Sequence, residues 1–215
     1  MVELNHLVGQ ISVSDHNQKP SMSLPEIWHI LRYARVSPIF KEEKDFSKWD
    51  RVFTDEKQNV YRLHLGRNRL ERVPQLRFDH LTQLDLYDNQ LRTVPDFIGL
   101  PSLEYLFLQS NRLRHVPDFR HLSKLKRLHL NNNYLKHVPD FQHLPELETL
   151  LLNDNNLTSV PKFRQLKKIT VINIDRNCLT TRPDYSHLPY LKFLVLRQSF
   201  DGFRPSKHRK IRFRL

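Results

Sequence analysis

The residues most able to do chemistry here are histidines, carboxylates and one thiol. The chain has 12 His and a single Cys, Cys178. His121, His143 and His187 hold equivalent places along the chain, as do His115 and His137. A zinc or transition-metal site needs cysteine, histidine or carboxylate ligands converging at ligand spacing, and no cysteine or carboxylate joins these histidines in that way. A surface ladder of repeated positions is the simpler reading, with no metal and no cofactor. Cys178 has no activating base near it in sequence, so it reads as inert rather than nucleophilic. Nucleophile-elbow, P-loop and HExxH patterns are missing, and with only 4 Gly a glycine-built phosphate loop is not expected. These side chains therefore give no catalytic residue and no small-molecule substrate site. The expectation is a protein that binds rather than an enzyme.

The elements that must position any binding residues recur along the chain. Leu63 and Leu65, Leu84 and Leu86, Leu106 and Leu108, Leu128 and Leu130, Leu150 and Leu152, Ile172 and Ile174, and Leu194 and Leu196 form pairs. The first interval between pairs is 21 residues and the next five are 22. Five residues after each of the first six pair starts stands Asn68, Asn89, Asn111, Asn133, Asn155 or Asn177. A leucine follows two residues later, at Leu70, Leu91, Leu113, Leu135, Leu157 and Leu179. A fixed period of this size marks a solenoid, in which one unit cannot bury its apolar face alone but stacked neighbours share a core. Apolar alternation in LxLxxNxL predicts a strand with one buried face. The asparagines are structural: an amide that both donates and accepts can satisfy backbone groups in a buried turn.

The second half of each unit carries Val94 to Phe97, Val116 to Phe119, Val138 to Phe141 and Val160 to Phe163, with Arg182 to Tyr185 as a divergent copy. Each contains proline at its second position, which fixes φ and removes a donor. The outer face is therefore expected to be irregular, extended or a short 3-10 turn, rather than a full helix. Together these features resemble the leucine-rich-repeat family over roughly residues 60 to 200. The resemblance implies an α/β solenoid, a horseshoe with a concave parallel β-sheet of about seven strands that binds a protein. The compact unit is similar to the leucine-rich-repeat effectors that intracellular bacterial pathogens deliver into host cells. One subgroup of these carries a cysteine-dependent ubiquitin ligase domain after the repeats. That activity is not carried over, because nothing of domain size follows Leu196 and Cys178 lies inside a repeat.

The register then gives the outward-facing rows. Candidate partner-binding residues are Asp85, Tyr87, Asp88, Tyr105, Phe107, Gln109, Arg127, His129, Asn131, Leu151, Asn153 and Asp154. Bulky apolar groups at Tyr87, Tyr105, Phe107 and Leu151, rimmed by polar ones, match the anatomy of a protein interface. The partner expected is a folded protein, an enzyme of the host or another effector, inhibited by having its active site covered. The chain alone is expected to be a monomer.

An open solenoid needs its ends covered. Residues 1–20 read as a loosely held arm, 21–59 as a helical cap, 60–199 as the repeats and 200–215 as a basic cap or tail. Ser23 and Glu26 fit a capping box ahead of an apolar face formed by Ile27, Ile30, Leu31 and Ala34. Phe46, Trp49 and Phe53 suggest a second short helix. The net charge of +12 lies mostly on convex and tail positions rather than along the concave face, which argues against a nucleic-acid groove there. The run from Arg204 to Arg214 offers an alternative function, binding phosphate, an anionic membrane or nucleic acid. The N-terminus lacks a secretory signal pattern, and a lone cysteine suits a reducing compartment. A cytosolic location is expected, or delivery into a host cell without a signal peptide.

Overall fold

The computed structural model describes residues 52–57 and 59–197. Eight strands form one sheet in strictly sequential order. They are β1 (Val52–Thr54), β2 (Val60–His64), β3 (Gln83–Asp85), β4 (Tyr105–Phe107), β5 (Arg127–His129), β6 (Thr149–Leu151), β7 (Val171–Asn173) and β8 (Phe193–Val195). Strands β2 to β8 pair in parallel, each one repeat after the last. Parallel neighbours need a crossover rather than a hairpin, and here an irregular loop on the back of the sheet supplies it. The result is a solenoid of about six turns.

The central leucine of each strand is buried: Leu63, Leu84, Leu106, Leu128, Leu150, Ile172 and Leu194 sit in the core, with residues on either side turned outward. The core continues behind the sheet in an aromatic stack. Phe97, Phe119, Phe141, Phe163 and Tyr185 follow one another with ring centroids 6.3, 6.2, 6.1 and 5.8 Å apart. Interplanar angles of 14 to 21° make this an offset stack, one ring per tier. Burial pushes the Tyr185 hydroxyl strongly upward, and it donates to the Pro161 carbonyl at 3.2 Å.

Each of the four stacked phenylalanines has a left-handed backbone, with φ of 50 to 55°. That conformation is unusual for a bulky residue and turns the chain inward after the extended Val-Pro segment. Two successive tight turns follow. Leu100 N–H donates to Phe97 O and Leu103 N–H to Leu100 O, and the same pair of bonds recurs at Leu122 and Leu125. These are isolated turns; the described residues contain no helix.

At the N-terminal edge the structure departs from expectation. Phe53, anticipated in a short helix, lies in β1, which pairs antiparallel with β2 through Val52 to Leu63 and Phe53 to Arg62. Val52 turns into the core while Phe53 takes the outward face, the period-2 alternation that a helix does not allow. Residues 21–51 of the anticipated helical cap, the arm at 1–20 and the basic tail at 200–215 lie outside the described residues.

Candidate protein-binding surface

The asparagine ladder fixes how one tier sits on the next. Asn133 Oδ1 accepts from the Leu113 N–H of the preceding tier at 3.0 Å. Its Nδ2 donates to Leu108 O of that tier and to Leu130 O of its own, at 3.0 and 3.1 Å. Asn89, Asn111, Asn155 and Asn177 repeat this arrangement. Asn68 opens the series, donating to Gly66 O. The residue before each asparagine, from Arg67 through Asp88, Ser110, Asn132 and Asp154 to Arg176, has φ between 49 and 59°, which swings the amide under the turn.

The sheet carries the candidate residues in straight rows. Arg62, Gln83, Tyr105, Arg127, Thr149, Val171 and Phe193 are in register from β2 to β8. His64, Asp85, Phe107, His129, Leu151, Asn173 and Val195 form the next row. Tier-to-tier backbone bonds run on past the strands, from Arg67 to Tyr87, Asp88 to Gln109, Ser110 to Asn131, Asn132 to Asn153 and Asp154 to Asp175. Tyr87, Gln109, Asn131 and Asn153 therefore extend the surface as a third row, with Asp88 and Asp154 beside it.

Ring contacts knit the rows together. The Arg127 guanidinium lies 5.6 Å from the Tyr105 ring centre and that of Arg67 5.3 Å from Tyr87. Phe107 meets the His129 imidazole edge to face at 4.8 Å. A Cβ on Gly66 would clash with the Tyr87 ring, so glycine is what lets that ring occupy its place on the sheet. Burial first, and the Arg127 charge second, push the His129 imidazole down to about 4. His129 is consequently uncharged at neutral pH and continues the apolar strip between Phe107 and Leu151.

The polar rim is ion-paired along the same rows. Arg67 approaches Asp88 at 3.4 Å, Arg176 approaches Asp154 at 2.7 Å and Arg197 approaches the buried Asp175 at 3.7 Å. Sequence reasoning missed two additions. Phe53, brought in by β1, packs 5.2 Å from His64 and under the Arg62 guanidinium at 5.5 Å. At the other end Val171, Phe193 and Val195 add apolar surface, with Phe193 41% exposed. Their places in the strand rows were readable; their accessibility was not.

Three buried side-chain polar atoms among the described residues have no hydrogen-bond partner: Arg62 Nε, Gln109 Oε1 and Asn131 Oδ1. All three residues belong to this outward face. Elsewhere, His121 and His143 stand 4.0 Å from Asp96 and Asp118, each one tier back, and His187 contacts the Lys162 carbonyl. Cys178 is exposed.

Leucine-rich-repeat family models match residues 58–113 and 110–212, together most of the chain. The chain belongs to the leucine-rich-repeat family. Among solved leucine-rich-repeat structures it is similar to a protein of Leptospira interrogans, at 29% identity and a TM-score of 0.57, over 65% of this chain and 39% of that one. The functional domain of InlJ from Listeria monocytogenes, which includes a cysteine ladder, is similar at 26% identity and a TM-score of 0.57, over 67% of this chain and 32% of that one. A chain of the octameric complex of latrophilin 3, Unc5D and the leucine-rich-repeat part of FLRT2 gives 31% identity and a TM-score of 0.52, over 60% of this chain and 43% of that one. This chain thus spans less than half the length of each. No curated protein sequence matches it. Leucine-rich-repeat proteins generally mediate protein–protein interaction, and the surface described above is the sheet face they characteristically expose.

Proposed function

We propose that the sheet face binds a folded protein, with Tyr87, Tyr105, Phe107, His129 and Leu151 at its centre and the paired aspartates and arginines at its rim. The observation that carries this reading is the gathering of unpaired buried polar atoms, at Arg62, Gln109 and Asn131, on the same surface as the half-buried rings. Buried polar groups are rarely left unpaired, and those that are call for an explanation. A partner that draws these side chains outward and pairs them with its own donors and acceptors supplies one. The uncharged state of His129 supports the same reading, because a desolvated centre tolerates a neutral imidazole far better than a charged one.

The partner is an enzyme, and the chain acts by occlusion: a preformed trough covers a convex catalytic face and closes it to substrate. Such a complex buries about 1,200 to 2,000 Å² in total. Two bacterial structures at 26 and 29% identity favour the resemblance to pathogen effectors, with the partner a host enzyme or another effector met in the host cytosol.

The test is affinity capture with the intact chain and with Tyr105→Ala and Phe107→Ala, followed by activity measurements on the captured enzyme. Each truncation is expected to weaken binding by about 1–3 kcal/mol while leaving the melting temperature near that of the parent. Unchanged affinity in both variants removes the sheet face as the site. Full enzyme activity in the saturated complex removes occlusion as the mechanism.

A further inference from the structure

A second surface lies where the chain leaves the strands. Arg69, Arg72, Arg92, Arg112, Arg114 and Lys136 all project there and all are exposed. Backbone bonds join the tiers at this flank: Gln90 N–H to Leu70 O at 2.8 Å, Arg112 N–H to Leu91 O at 2.9 Å and Tyr134 N–H to Leu113 O at 2.8 Å. Equivalent residues on successive tiers therefore stand about one strand spacing apart, ~4.8 Å. Arg92, Arg114 and Lys136 make one such column, and Arg69 and Arg112 belong to the column beside it. Within these four tiers of the flank the only carboxylate is Glu71.

Many cations elsewhere among the described residues are ion-paired, and those that are not, such as Lys162, Arg164 and Lys167, share one loop rather than a column across tiers. At the opposite end of the strands, Lys126 pairs with Glu104 at 2.9 Å, one tier away, and Lys168 pairs with Glu146 at 2.7 Å. On the sheet face Arg67, Arg176 and Arg197 each meet an aspartate, and on the back Arg120 meets Asp118. None of the six flank cations has an ion pair or side-chain hydrogen bond among the described residues. Cations in register at this spacing repel one another and favour any anion that bridges them.

The shape of the track selects the anion. Asp88 borders it on the sheet side, and Asp96, Asp118 and Asp140 border it where the chain moves to the back. A broad duplex would set its phosphates against those carboxylates, whereas a single extended chain stays between them. Single-stranded nucleic acid binds through successive stacking platforms, and beside the small imidazoles of His115 and His137 this flank offers one large exposed ring, Tyr134. Five of the six cations are arginine, whose planar fork matches a carboxylate through two parallel hydrogen bonds.

We propose that this flank docks an extended acidic segment of a protein partner, its glutamates or aspartates laid across the four tiers. The span is about 15 Å, which an extended segment of about five residues covers with carboxylates at alternate positions. This site is separate from the sheet face and does not depend on its partner.

The test is fluorescence anisotropy of a labelled eight-residue oligoglutamate titrated with the full chain at low salt. The comparison variants are the triple Arg92→Glu, Arg114→Glu, Lys136→Glu and its milder form with glutamine at the three positions. A control triple, Lys162→Glu, Arg164→Glu, Lys167→Glu, changes the net charge equally at exposed positions elsewhere. Expected are saturable binding, a loss of ten-fold or more in the flank triple, an intermediate loss in the glutamine form and less than a two-fold change in the control. Tyr105→Ala with Phe107→Ala should leave peptide binding unchanged. Absence of saturable binding, or equal losses in the flank and control triples, overturns the proposal. So does tighter, flank-dependent binding of an oligothymidylate of the same length, which assigns the track to nucleic acid instead.

Discussion

His129 shows how a single side chain takes its character from its neighbours. In the unfolded chain its imidazole protonates near 6.5, whereas in the fold the proton leaves at about 4. The unfolded state therefore binds more protons between these values, and stability falls as pH drops through that window. The ring is only half-buried, so the loss after solvent screening is on the order of 1–2 kcal/mol. Urea titrations at pH 7 and pH 4 should show this difference, and His129→Leu should shrink it. Nothing in the sequence immediately around His129 announces that environment. The shift comes from burial first, with the Phe107 ring brought beside His129 from β4, and from the Arg127 charge two residues earlier on β5. Phe53 taught the opposite lesson: its aromatic spacing with Phe46 and Trp49 suggested a helix, but pairing with β2 prevailed over local pattern.

At the scale of the element, the aromatic stack does for the back of the molecule what the leucine ladder does for the front. Phe141 is fully buried between Phe119 and Phe163, so Phe141→Ala opens a cavity that neither neighbour fills without leaving its own tier. The expected cost is about 3–5 kcal/mol, measured as a lower urea midpoint with the dichroism of the parent retained. Strands β2 to β8 and their order were legible, because a period of 22 with paired leucines leaves one register; the antiparallel β1 lies outside that period and was not. The left-handed φ of the phenylalanines was not, since Val-Pro-Asp-Phe fits several turn types and only stacking across tiers selects one. The outward rows of the candidate surface followed from strand alternation alone. Which of their polar atoms would lack partners depends on side-chain packing between tiers, and a linear pattern does not contain that.

At the scale of the whole molecule, stability is distributed along a line, each tier touching only those beside it. Asn133→Ala removes the acceptor for Leu113 N–H and the donor to Leu108 O and Leu130 O. Each buried group left without a partner costs about 1–3 kcal/mol, so the array should loosen at that seam. Hydrogen exchange should speed up most at Leu113 and in the tiers flanking it, and least at β2 and β8; uniform acceleration would count against nearest-neighbour coupling. The same amide bonds have a direction, because from Asn89 to Asn177 each asparagine oxygen serves a donor in the unit before its own. Each storey is thus completed by the one built after it. Shortening the tower from its far end would leave the new top floor with an amide hydrogen pointing at nothing, so any natural or engineered variant of different height must bring its own roof.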